Sequence, residues 1–168
     1  MNNLPNSSTK QPRFFRLLLR VPVPWVFVLG YLLGAGLQFA IFPGTHYSAT
    51  TRNLVSTGGA VVFAVGAVIA GWGLILFHRA RTTTTPGKAS DVLVTGGPYR
   101  FTRNPMYVGL IVAYVGEMGL LVQIAPLIPL LLVIAYIDWI VIPVEENQLQ
   151  GLFGEDYVQL CNRIPRWF

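Results

Sequence analysis

Long apolar runs alternate with short polar breaks along this chain, and the runs are of helical rather than strand length. Four windows, 23–42, 54–77, 105–122 and 124–144, are apolar enough to cross a hydrocarbon core of roughly 30 Å as helices. They predict an all-α integral membrane protein with about four transmembrane helices. Almost nothing polar separates the third window from the fourth, so a tight hairpin around Gln123 is expected. Pro126 and Pro129 fall early in the fourth helix, where a missing amide is tolerated.

Small residues mark the first two windows: Gly30 and Gly34 in one, and Ala60, Ala64, Ala67 and Gly71 in the other. Such stripes let helix backbones approach closely. Carboxylates interrupt the last two windows at Glu117 and Asp138. An ionisable group at that depth normally faces a partner or a wet cavity. Asp138 lies about 10 Å by helical rise from the pair Glu145 and Glu146, which makes it a candidate cavity wall.

Composition sharpens the membrane assignment. The 168 residues are 53% hydrophobic and only 11% charged, and the mean hydropathy is +0.54, which is not a soluble composition. Eleven of the twelve cations precede the first window, lie between the second and third, or end the chain, and only Arg52 falls on the other side. The net charge of +5 is therefore a topology signal that places both termini in the cytoplasm, and not evidence for nucleic acid. Short loops and small size favour a bacterial inner membrane.

The organisation expected is a polar tail and interfacial segment over 1–22, followed by one membrane domain over 23–168. A cleaved signal is the competing reading of the N-terminus, but the apolar run of about 20 residues is long for a signal core. A single cysteine, Cys161, excludes an intramolecular disulfide framework, and the separated His46 and His78 give no metal site.

Polar chemistry gathers at one mouth of the bundle. The stretch from Leu93 to Gly109 carries Gly96-Gly97-Pro98, Tyr99, Arg100, Arg103 and Asn104-Pro105-Met106-Tyr107 just where the third helix begins, and Glu145-Glu146 lies past the fourth. Proline suits the first turn at position 105, and the free amides of that helix start favour an anion. The two glutamates, being adjacent, point about 100° apart, so one can face a pocket and the other a cation or water. Near a helix C-terminus acids oppose the dipole, and a pocket would supply the reason for them.

Leu93-Val-Thr-Gly-Gly-Pro-Tyr99, Arg103-Asn-Pro-Met-Tyr-Val-Gly109, the paired glutamates, and Phe153-Gly-Glu-Asp-Tyr157 with Arg163-Ile-Pro165 together resemble the isoprenylcysteine carboxyl methyltransferase family. The related phospholipid N-methyltransferases share the Arg-His-Pro-x-Tyr and Glu-Glu elements. The resemblance covers roughly 71–168. It implies a membrane enzyme that takes a methyl group from S-adenosylmethionine to a lipophilic small-molecule or prenylated acceptor arriving from membrane lipid, with a cytoplasmic cofactor-binding loop and a C-terminal interfacial helix closing the site.

Carried over by position, the resemblance assigns cofactor contacts to Thr84, Val92, Leu93, Val94, Tyr99, Arg103, Asn104, Pro105, Met106 and Tyr107. Glu145 and Arg103 take the catalytic roles, and Glu145, Glu146 and Asp138 the acceptor side. A cleft between the third and fourth helices would admit the acceptor. Two positions depart from the family: Asn104 stands where histidine is usual, and Val141 where the isoprenylcysteine enzymes carry arginine. Asn104 can hydrogen-bond but not titrate. Without arginine at 141, the counter-ion for a prenylcysteine carboxylate falls to Arg100 or Arg163. A sterol-reductase-like enzyme using NADPH and a non-catalytic membrane scaffold are the rival readings.

Overall fold

The computed structural model describes residues 21–44, 47–82 and 93–168, with side chains described except at 80–82. Among them the regular structure is entirely helical. It comprises α1 (Val23–Ile41), α2 (Ala49–Thr82), a 3-10 turn (Gly97–Arg100), α3 (Pro105–Leu120), α4 (Leu127–Tyr136), a π-turn (Ile137–Val141), α5 (Ile142–Phe153) and α6 (Glu155–Arg163).

Three helical stretches are long and apolar enough to span a membrane: Val23–Ile41, Ala49–Arg79 and the continuous run Leu127–Phe153. The third expected span forms a shorter helix of 16 residues, about 24 Å long. The fourth extends well past position 144, because the π-turn joins α4 to α5 without breaking the helix. The interfacial segment expected before α1 lies outside the described residues.

Helix packing follows small residues, with a correction to the stripe read from sequence. The face of α2 against α3 is Gly59, Phe63, Gly66, Ala70 and Gly73, one position away from Ala60, Ala64, Ala67 and Gly71. A Cβ at Gly59, Gly66, Gly109 or Gly116 would meet backbone of the opposite helix, whereas one at Gly71 would meet nothing. The spacing alternates four and three along α2, and the partners on α3 run antiparallel to it, which is the 3.5-residue seam of a left-handed pair. Ala60, Ala64 and Ala67 are exposed on the outer face.

Gly30 and Gly34 of α1 serve the neighbouring contact, facing Val133, Pro126 and Pro129 of the α4 segment. The turn between α3 and α4 surrounds Gln123 but takes in 121–126, longer than the single residue expected, and the two helices take different principal partners: α3 pairs with α2, and α4 with α1. Phe27, Tyr31, Tyr107, Tyr114, Leu130, Val133, Ile137, Val141 and Ile142 fill the space between these pairs. Tyr114 meets Tyr31 edge-to-face at 5.0 Å and Phe27 at 6.3 Å.

Away from the cationic mouth, the 121–126 turn is fastened by polar side chains. Gln38 Oε1 accepts from the amides of Ile124 (3.0 Å) and Ala125 (2.9 Å), Tyr114 Oη donates to the Pro126 carbonyl (2.9 Å), and Tyr31 Oη donates to Gln123 Oε1 (3.1 Å). Backbone amides that lipid could not satisfy thus find protein acceptors.

Candidate active site

The start of α3 is built by the chain's own C-terminus. Thr102 is buried, and its Oγ1 accepts from the Asn104 amide (3.1 Å) while donating to the Arg166 carbonyl (2.7 Å). Asn104 Nδ2 donates to the same carbonyl at 3.1 Å, and the Arg103 amide donates to the Pro165 carbonyl at 3.0 Å. Residues 164–167 therefore lie as a strap across 102–104. Pro105 is fully buried behind them, and Met106 packs on Gly73 of α2.

Arg103 reaches under this strap. Its Nη1 lies 2.8 Å from Glu146 Oε1, donates to Cys161 Sγ at 2.7 Å and is 3.4 Å from Tyr157 Oη. Arg166 approaches Glu146 from the strap, with Nη2 2.6 Å from Oε2 and Nε 3.3 Å from Oε1, and its Nη1 lies 3.2 Å from Asp138 Oδ1. Trp167 Nε1 also donates to Asp138 Oδ1, at 3.0 Å. Hydrogen bonding to Glu146 pushes the Arg166 pKa further up, so it stays charged. Burial is the main cause that holds the Tyr157 phenol at about 12.

Glu145 points the other way. Its side chain is exposed as a whole, yet Oε1 accepts a 2.7 Å hydrogen bond from the buried hydroxyl of Tyr107. Tyr99, on the 3-10 turn, is near enough to feel that carboxylate: burial first, then Glu145, raise its pKa to about 12. The Tyr99 hydroxyl also donates weakly to the Gly73 carbonyl, at 3.5 Å. Gly97, at φ +59°, brings this turn onto the ring of Trp72, where a Cβ would crowd it. Packing against Gly97 and Met106 accounts for Trp72 and Gly73.

The adjacent glutamates are thus divided, one to the two arginines and one to Tyr107. Within this cluster Arg103 and Arg166 pair with Asp138 and Glu146, and among the described residues Glu145 is held instead by the hydrogen bond from Tyr107. Leu93 and Val94 are half-buried before the 3-10 turn, while Thr84 and Val92 lie outside the described residues. Val141 is 4% exposed within the apolar core. Arg100 is exposed, and among the described residues the ion pairs of this site are made by Arg103 and Arg166.

Two open spaces lie between the helices, the first of them against the site. One, of about 280 Å³, lies between α5 and α6 and is lined by Glu146, Asn147, Gln150, Tyr157, Cys161 and neighbours. The other is an apolar groove of about 390 Å³ between α1 and α4, running past Leu29, Leu33, Pro129 and Leu132 to Tyr136. The glycine seam commits α3 to α2, so α1 and α4 form the walls of this groove.

Residues 54–156, which include α3, the π-turn and both glutamates, match the phospholipid methyltransferase family. The chain belongs to the phospholipid methyltransferase family. Among curated proteins, protein-S-isoprenylcysteine O-methyltransferase B of Arabidopsis thaliana is 27% identical over 130 residues, which cover 76% of this chain and 64% of that relative. The chain thus spans just under two thirds of the relative's length. No solved structure matches it. Thr102, Cys161, Arg166 and Trp167 are site-forming residues that the family motif alone does not single out. The only local signal for Arg166 was its place directly after Arg163-Ile-Pro165.

Proposed function

We propose that this membrane protein is a methyltransferase that uses S-adenosylmethionine and acts on a lipophilic acceptor of the isoprenylcysteine type or another membrane lipid. The observation that carries the reading is the carboxylate of Glu145, outside the ion-pair cluster of Arg103 and Arg166 among the described residues and held by Tyr107 beside Tyr99 at the family's motif positions. A carboxylate flanked by phenol rings suits a cationic ligand. Arg103 adds a buried Nε–H without a partner among the described residues, a donor that a ligand carboxylate would satisfy. Anionic and cationic recognition groups thus stand close together, as a zwitterionic amino acid tail requires.

On this reading Tyr99, Arg103 and Tyr107 hold the cofactor, together with Leu93, Val94 and the start of α3 at Asn104, Pro105 and Met106. When bound, the cofactor supplies an activated methyl group on a sulfonium. Glu145 stabilises positive charge and, for an amine acceptor, takes the proton from the nucleophile. Tyr107 fixes the orientation of that carboxylate by donating to Oε1. The strap and the buried Pro105 exclude water from behind Arg103. The relative's name supports an isoprenylcysteine-type acceptor, whereas Val141 offers no counter-ion to its carboxylate.

A nicotinamide dinucleotide phosphate is a poorer match, because it brings several phosphate charges, whereas Arg166 is bound to two carboxylates and Arg103 to one, with its Nε the buried donor left without a partner among the described residues. The test is calorimetric titration of the purified protein in detergent with S-adenosylmethionine, S-adenosylhomocysteine and NADPH. Binding of both adenosyl ligands without NADPH is expected. Binding of NADPH alone, or of none of the three, would overturn the reading.

A further inference from the structure

The division of Glu145 from Glu146 has a geometric origin in the π-turn. An unbroken α-helix turns about 800° between Asp138 and Glu146, which would leave the two about 80° apart. Here the Ile142 amide donates to the Ile137 carbonyl, the wider ring of a π-turn, and one residue is taken up in it. The offset then falls to about 20°, while Glu145 points about 120° from Asp138. Asp138 and Glu146 come to one face, where a single guanidinium spans both.

That guanidinium belongs to Arg166. It is bidentate on Glu146 and reaches Asp138, while its carbonyl receives Thr102 and Asn104. One residue therefore ties the start of α3, the π-turn and α5 together. We propose that Arg166 is a positioning residue that bridges Glu146 and Asp138, neutralises the two together with Arg103, and so leaves Glu145 as the carboxylate of this cluster offered to a ligand. The inference rests on the reading of the site as one for an S-adenosyl ligand.

Charge separates this role from a merely structural one. Removing Arg166 changes the cluster from one excess carboxylate to two, and removing the Glu146 charge as well restores one. The probes are S-adenosylmethionine, which carries the sulfonium charge, and S-adenosylhomocysteine, which does not, each titrated against the full chain in detergent. Arg166→Gln is expected to shift the ratio of their affinities about 5-fold in favour of the cationic ligand. Glu146→Gln added to Arg166→Gln is expected to return the ratio to the wild-type value. Arg166→Lys, which keeps the charge but cannot bond in bidentate fashion, is expected to stay within 2-fold of wild type. If Arg166→Gln does not fold, Glu146→Gln alone carries the test, since it removes the excess negative charge and is expected to shift the ratio about 5-fold the other way.

A structural brace alone would weaken both ligands by one factor and leave the ratio unchanged in every variant, and that result would overturn the role assigned to Arg166. So would a 5-fold shift in Arg166→Lys. Wild-type protein that binds neither ligand would instead remove the S-adenosyl reading itself, and this inference with it.

Discussion

Tyr107 and Glu145 form the hydrogen bond, 2.7 Å from Oη to Oε1, that joins the first turn of α3 to α5. Tyr107 is 7% exposed, so its ring is fixed by the core and its hydroxyl has one orientation to offer. The carboxylate inherits that orientation. Its neighbour Glu146, one residue on, instead answers to Arg103 and Arg166. Two like residues in sequence acquire opposite electrostatic situations through the helix that carries them.

Tyr107→Phe keeps the buried ring and deletes only the donor. Loss of a hydrogen bond to a charged group corresponds to about 2 kcal/mol, so a 10- to 30-fold fall in methyl transfer is expected with a circular dichroism spectrum like that of wild type. Glu145→Gln removes the charge itself and is expected to lower transfer at least 100-fold. A labelled-methyl assay on both variants checks the order, and full activity in Glu145→Gln would sink its assignment.

The strap makes Asn104 measurable in a different way. Its side chain donates to the Arg166 carbonyl, so Asn104→Ala should loosen residues 164–167 from α3. The expected cost is about 1 kcal/mol of stability, together with faster amide exchange at Arg103, whose amide donates to the Pro165 carbonyl. Hydrogen exchange by mass spectrometry reads this directly. Unchanged protection over 102–104 would show that Thr102 alone holds the strap.

Much of this arrangement is legible in the sequence. Apolar runs located the helices because lipid demands them, and the motif residues Arg103, Tyr107 and Glu145 meet at one mouth of the bundle. Which face of α2 packs was misread by one position, since alanine and glycine alternate along it and only contact with α3 decides between them. The π-turn left no trace in hydropathy, because Ile137, Val141 and Ile142 would be buried in an α-helix as well. Consequently the sequence offered Asp138, Glu145 and Glu146 as one acceptor-side group. In the structure the first and third carboxylates are bound by Arg166.

The α2–α3 seam predicts an asymmetric mutational response. At Gly116 a Cβ would meet the backbone of Phe63, whereas at Gly71 it would meet nothing. Gly116→Leu is expected to cost 3 kcal/mol or about that, the scale of overpacking a close contact, and to lower the melting temperature in detergent strongly. Gly71→Leu, facing outward, should leave it nearly unchanged. Equal effects at the two positions would contradict the register.

A buried amide side chain gives the last test. Gln38 is 8% exposed and its Oε1 is the acceptor for two backbone amides, those of Ile124 and Ala125. Replacing it with leucine of similar size leaves both donors without that acceptor at a depth where water is scarce, at a cost of about 2 to 4 kcal/mol. Gln38→Glu keeps an oxygen at the position and, in its ionised form, accepts from the same two amides. Thermal unfolding in detergent should therefore rank wild type above Gln38→Glu and Gln38→Leu lowest. The opposite order for the two variants would mean that burial of charge outweighs the two amide bonds there.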